Sequence, residues 1–300
     1  MADITRTSAA AFIPTIIAQT ALEVLRANLV LGKLVTRDSD IATFTMGDTL
    51  NVNYPGSMVA NDKAANTGVT AQVPTTATST VVLNKHKEAT FLIEDVTKVL
   101  ANQDLVQRYV SAGVVAIAEQ IETDLFALYS GFSNSVGTSG TDIGAATIRS
   151  ARKTMNDLKA PKGNRILVVS DKDEIALLAD SGLQNYFAFA KPETVAEGSI
   201  GRVYGFDVYQ SQLVPAVAGS PVSTKNLAFD PGAIILAMRA LPEVGAGQGA
   251  TTAVITDPLS GLTIRCVMAY NANLLATQIT LDVLYGVAKL RNELGVVVLA

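Results

Sequence analysis

Residues that could do chemistry are sparse in this chain. Ser150 and Lys153 keep the SxxK spacing of some acyl enzymes, in which the serine is the nucleophile. No SDN or KTG partner follows, and both fall on a helix whose other side is apolar. The spacing therefore reads as a solvated helix face. There is no GxSxG, and a Ser-His-Asp arrangement would depend wholly on the single histidine, His86. Its setting, NKHKE, reads as an exposed strand position. The single cysteine, Cys266, sits in the alternating run LTIRCVMAY and reads as a small core hydrophobe, so no internal disulfide is expected. One His and one Cys give no basis for a transition-metal site, and neither metal nor cofactor is expected.

The carboxylates are equally uncommitted. Asp171, Asp173 and Glu174 fall in the first turn of a helix, where negative charge favours the helix dipole. Glu119, Glu122 and Asp124 read as the solvated face of a long helix rather than as a catalytic pair. GSIGRVYG is glycine-rich but lacks the Lys-Ser/Thr ending and the strand-to-helix context of a phosphate loop. No catalytic constellation emerges, and the chain reads as a non-enzyme.

The elements that must position these residues follow from periodicity. Ala9 to Val35 has a loose helical spacing, with Pro14 in a first turn and Gly32 as the stop. From Ile41 to Asp95 the pattern is β, with a Gly47-Asp48 turn and two strands joined by a long polar excursion. In Asp95 to Gly131, Val99, Val106, Val110, Val114, Ile117, Ile121, Leu125 and Leu128 recur at helical spacing. This predicts a short helix, a cap at Asn102 or Asp104, and a long helix over 104–130 of about 40 Å, stopped by Gly131. SNSVGTSGTDIG reads as a connector. Ile148, Ala151, Met155 and Leu158 mark the next helix, followed by the buried strand NRILVVS and a helix capped by Ser170 and closed by Gly182. SIGRVYGFDVYQSQLVP is a hairpin turning at Gly205, and KNLAFDPGAIILAMRA is strand, turn and apolar run. From Thr251 onward the pattern is β, with a Pro-Leu-Ser-Gly turn.

Composition narrows the function. Charged residues make up 17% of the chain, against about 25% in a typical soluble domain. Mean hydropathy is +0.31. Such a charge-poor chain fits either a surface covered by other subunits or a plain large α/β core. Net charge is −4 and no Lys/Arg run stands out, so contact with nucleic acid is expected to be weak and non-specific. No apolar stretch is long enough for a membrane span, and the N-terminus has no basic region like that of a secretory signal, so a soluble cytosolic product is expected.

Thr67 to Thr80, TGVTAQVPTTATST, cannot build a core: it has no charge, no aromatic, and nothing aliphatic larger than two valines. It is either a disordered linker or an arm ordered by a neighbouring molecule. On the arm reading, the residues at a subunit interface would be Asn61, Lys63, Thr67, Gly68, Val69, Val73, Thr76 and Thr78.

The order of parts resembles the major capsid (coat) proteins of tailed double-stranded-DNA bacteriophages. The resemblance rests on VLRANLVLGKLVTRD (24–38), GDTLNVNYPG, the long-helix region and LVVSDKDEIALLAD. EGSIGRVYGFDVYQSQLVP (197–215), AFDPGAIILAMRALPE and LDVLYGVAKLRNELGVVVL complete it. It implies an α+β, tailed-phage major capsid protein fold. The parts would be an N-terminal arm (1–41), an extended β-hairpin loop (42–92), a peripheral domain with a spine helix (93–139 and 256–300) and an axial domain (140–255). It further implies self-assembly into hexamers and pentamers of an icosahedral head enclosing DNA, put together in the host cytoplasm. Scaffolding protein, portal and decoration protein are the partners it allows. Some members crosslink arms through a Lys-Asn bond assisted by an acid; no such trio stands out here, and none is expected to form. The alternatives are an encapsulin-like compartment shell and an α/β enzyme whose arm is a lid.

Overall fold

A computed structural model describes residues 21, 30–37, 49–55, 58–73, 76–95, 105–180, 183, 200–245, 249–256 and 263–300. The expected Pro14 helix start, Gly47-Asp48 turn, caps at Asn102 or Asp104, Gly182 stop and Pro-Leu-Ser-Gly turn lie outside these residues.

Two sheets share one hydrophobic core. The first is organised by its longest strand, β14 (Ala276–Lys289). Its N-terminal two thirds pair on one edge with β4 (Lys85–Glu94), over ten antiparallel positions. The other edge takes β13 (Thr263–Asn271) and then β11 (Ile234–Arg239). The two edges are distinguished by Leu284 and Tyr285, which pair with both β4 and β11. β12 (Ala250–Thr256) extends the sheet beyond β13, and the two-residue β1 (Thr36–Arg37) runs parallel to β11.

The second sheet has the order β5 (Ser135–Gly137), β15 (Gly295–Leu299), β10 (Ser223–Phe229), β6 (Arg165–Val169), β8 (Phe206–Gln210), β7 (Arg202–Val203). The short β9 (Ala216–Val217) pairs with β10. β6 is buried at every residue, as NRILVVS suggests. β5 falls inside the stretch expected to be a plain connector and pairs in parallel with the C-terminal strand. The β7–β8 hairpin turns at Tyr204 (φ 47) and Gly205 (φ 87), a left-handed pair that favours glycine. The sheets interleave along the chain. β11 and β12, which both begin before residue 256, join the sheet of β13 and β14, whereas β5 and β15 join the sheet of β6 and β10.

Four helices are described. α1 (Leu31–Leu34) is one turn, and Gly32 lies inside it rather than beyond its end, contrary to its expected role as a stop. α2 (Leu105–Phe126) is the long helix, and it tightens into a 3-10 turn over Ala127–Gly131 instead of running on as α-helix to 130. α3 (Ala145–Asp157) and α4 (Asp171–Ala179) belong to the second-sheet half, α4 capped by the Ser170 side chain. Among the described residues no helix is long and apolar enough to cross a membrane.

Candidate assembly surface

The ribbon begins with composition. β2 (Thr49–Pro55) and β3 (Thr76–Val82) alternate apolar and hydroxyl or amide side chains and pair at seven antiparallel positions. Strand alternation puts Leu50, Val52 and Tyr54 on one face with Ala77, Ser79 and Val81. That face lies on the body: Leu50 and Val81 are buried against Ile235, Ala237 and Leu290. Burying each aliphatic side chain is worth about 1.5–3 kcal/mol. Ser79 Oγ donates to the Leu290 carbonyl at 2.7 Å, and the Arg291 guanidinium lies 5.1 Å from the Tyr54 ring centre. Burial pushes the Tyr54 hydroxyl up from its ordinary value, and Arg291 offsets part of that. The opposite face is solvated. There Thr78 donates to Asn53 (2.8 Å) and Thr80 to Asn51 (2.9 Å).

A single glycine sets how closely the ribbon can sit. A Cβ on Gly286 of β14 would lie 2.3 Å from the Val82 carbonyl oxygen and 3.2 Å from Leu83 Cα. These are backbone atoms at the corner where β3 leads into β4, so no rotamer change relieves the clash.

Beyond the ribbon, residues 58–73 leave the body. All are exposed except Gln72. Gln72 braces the base of this excursion: its Oε1 accepts from Val59 N (3.0 Å) and its Nε2 donates to the Val59 carbonyl (2.5 Å). The tip is a turn in which Asn66 is left-handed (φ 59) and Thr67 Oγ1 donates to the Ala64 carbonyl at 2.8 Å. Lys63 Nζ donates to the same carbonyl at 2.8 Å. Val69 is 83% exposed and Val73 96%. Gly68 faces open space among the described residues. Of the arm residues expected at an interface, Asn61, Lys63, Thr67, Gly68, Val69 and Val73 are thus on this excursion. Thr78 lies on the solvated face of β3; Thr76 starts that strand, and its side chain lies outside the described residues.

The body that carries the ribbon is built on α2. Val110, Val114, Ile117, Ile121 and Leu125 are buried. Val106 is on the helix, with its side chain outside the described residues. At Gly113 the helix packs tightly on the sheet: a Cβ there would sit 3.3 Å from Ala89 Cβ of β4.

Two polar groups depart from the expected solvated face of α2. Glu122 is 2% exposed. Its oxygens accept from the backbone N–H groups of Leu31 and Gly32, both at 2.9 Å, and so fix α1 against α2. Burial pushes its carboxyl above the ordinary range, and the N–H groups pull it partly back. The signal was present in the spacing: Ala118, Glu122 and Leu125 fall on one face at i, i+4 and i+7. Asp124 accepts from the Tyr285 hydroxyl (2.6 Å) and pairs with Lys85 (3.1 Å), linking α2 to β14 and β4. Burial and the Asp124 bond push the Tyr285 hydroxyl up.

Other candidate residues resolve as structural. Asp173 is fully buried, and its Oδ2 accepts from Ser170, Thr224 and Asn226 at 2.6–2.7 Å. It therefore ties α4 to β10 as well as sitting in a first helical turn. His86, half exposed on β4 as expected, hydrogen-bonds Asp282 at 2.9 Å, and Arg265 grips the same carboxylate with two N–H groups. Ser150 donates to its own helix and Lys153 pairs with Asp157 at 2.6 Å, so the SxxK pair does not converge. Cys266 is buried, and burial pushes its thiol up to about 12. Among the described residues no group of three His, Cys, Asp or Glu side chains could hold a metal.

No family model matches the sequence, and no curated protein matches it. Solved structures do. A chain from Mycobacterium phage Che8 superposes with a TM-score of 0.65 at 20% identity, over 90% of both chains. The capsid of cyanophage P-SCSP1u gives a TM-score of 0.66 at 14% identity, over 90% of this chain and 87% of that one. The encapsulin of the holo-SrpI complex from Synechococcus elongatus gives 0.55 at 12%, over 89% and 85%. The fold is the α+β fold of tailed-phage major capsid proteins.

Proposed function

We propose that this chain is the self-assembling major capsid protein of a tailed phage, forming hexamers and pentamers of an icosahedral head that encloses double-stranded DNA. The observation that supports it best is the 58–73 excursion, which holds Val69 and Val73 in solvent on a base anchored to the body. Apolar side chains on an extended projecting segment are a cost to a free monomer and a contact to a neighbouring copy. The shared fold supports the same reading. On it, residues 42–84 are the extended loop, and α2 with the β14 sheet, to which β4 (Lys85–Glu94) belongs, is the peripheral part. The second sheet with α3 and α4 is the axial part, and the segment before residue 42 is an arm. The role is structural, and the place of the mature protein is the virion.

The test is electron microscopy of the expressed full chain with and without residues 58–73. Shells or capsomers are expected from the intact chain and their loss from the deletion. A monomer that never assembles under any salt condition, or normal shells from the deleted chain, would overturn the proposal. Mature particles should run as single chains on a denaturing gel, since Lys63 finds its partners within its own turn.

The encapsulin match sustains a second reading, a compartment shell around a protein cargo. Particles holding protein and no DNA would favour it.

A further inference from the structure

The sequence has no basic run, yet the fold collects cations on one surface. Between Ala145 and Arg165 lie six cations and one carboxylate, Asp157, in a chain whose net charge is −4. Arg149, Arg152 and Lys153 fall at i, i+3 and i+4 of α3, so they share its solvent face. Lys159 and Lys162 continue the surface on the exposed turn that follows. Among the described residues, Lys153 is the one cation of the six within 4.0 Å of a carboxylate. Arg149 lies 5.7 Å from the Tyr204 ring centre, and Arg152 donates to the Tyr204 carbonyl at 3.0 Å. Both contacts orient a guanidinium without neutralising it. Arg165 turns inward to the carbonyls of Ala160 and Pro161. Burial lowers its pKa, Arg152 lowers it further, and Asp230 offsets part of this.

We propose that this face of α3 and the turn after it binds the phosphate backbone of duplex DNA. Other side chains exposed here include Ser150, Asn156 and Asn164, and no large hydrophobic residue is exposed in the segment. A protein partner would need an apolar centre to its footprint. Phosphate contacts need cations, hydroxyls and amides, which are what this face offers. The face supplies no aromatic platform and no groove-filling element, so binding is independent of base sequence.

The inference rests on the capsid reading for its partner, but its test does not depend on assembly. Fluorescence anisotropy of the unassembled full chain with a labelled duplex of about 30 base pairs, at about 50 mM salt, reads the binding directly. Charge reversal at Arg149, Lys159 and Lys162 to Glu should weaken it about tenfold or more and reduce the slope of log affinity against log salt by about 3. Reversal of Lys63, Lys87 and Lys172 to Glu changes net charge equally and should leave affinity within about twofold. Equal losses in the two variants overturn the proposal. So does a wild-type chain that ignores the duplex and binds poly-glutamate. Should the first variant fail to fold by circular dichroism, Lys159→Gln with Lys162→Gln replaces it. An unchanged salt slope in that pair overturns the proposal. Shells without patch-dependent DNA binding sink this inference alone; patch-dependent binding by a chain that never forms shells supports it and sinks the capsid reading alone.

Discussion

The α2 half and the 58–73 excursion are opposites within one chain. α2 buries nearly every apolar side chain of its inner stripe, and even Glu122 on that stripe is fully hydrogen-bonded. The excursion buries nothing and stabilises itself with one glutamine brace and one turn. A contact-rich element reports on the stability of the subunit. On the proposed assembly, a contact-poor element reports on what the chain touches next, because its apolar side chains have no work to do inside the chain.

Substitutions can break or sharpen that contrast. Ile117→Asp puts an unpaired charge on the buried face of α2 and should cost about 3–5 kcal/mol, read as insoluble or unfolded protein. Soluble, assembling Ile117→Asp protein would show that the helix face is misassigned. Gly286→Ala forces the ribbon corner off β14 and should cost about 1–3 kcal/mol by urea denaturation. An unchanged midpoint would mean the corner is not held by that contact.

Glu122→Gln is a finer probe. It replaces one accepting oxygen with an NH2 group facing a backbone N–H, at about 1–3 kcal/mol. The sign of its pH dependence follows from the raised carboxyl. The stability tied to protonated Glu122 is complete below the unfolded carboxylate value and is lost as pH rises through the higher folded one. The wild type should therefore gain on the Gln variant as pH falls through that window; parallel urea curves across it would contradict this. The smallest effect on the body is expected from replacing 58–73 with a short Gly-Ser turn. Its thermal midpoint should stay within a few degrees, for about 0.5 kcal/mol or less, while assembly is lost. A deletion of 60–80 would be a poorer test, because it removes β3 residues up to Thr80, including Ser79 and its bond to Leu290.

How much was legible in the sequence depended on distance along the chain. The α2 stripe, the β6 run, the Gly205 hairpin and the polar excursion all follow from local periodicity or composition. Glu122 was misread because residue type outweighed its position on the stripe. The Asp173 network could not be foreseen, since Thr224 and Asn226 arrive from a strand some fifty residues away. β5 was hidden in a connector because its partner is the last strand of the chain. The α3 cations were overlooked as a footprint because helical spacing spreads them among apolar letters. They become a surface only when the turn is wound.

One last consequence concerns the path of the chain through Leu83 and Asn84. β3, half of the ribbon that carries the excursion, continues across that corner as β4, whose ten rungs to β14 lie side by side. Tension along β4 is therefore shared among its rungs in shear instead of peeling them one after another. A tug on the ribbon reaches the middle of the subunit as a distributed load, and the tether is stitched where the framework is broadest.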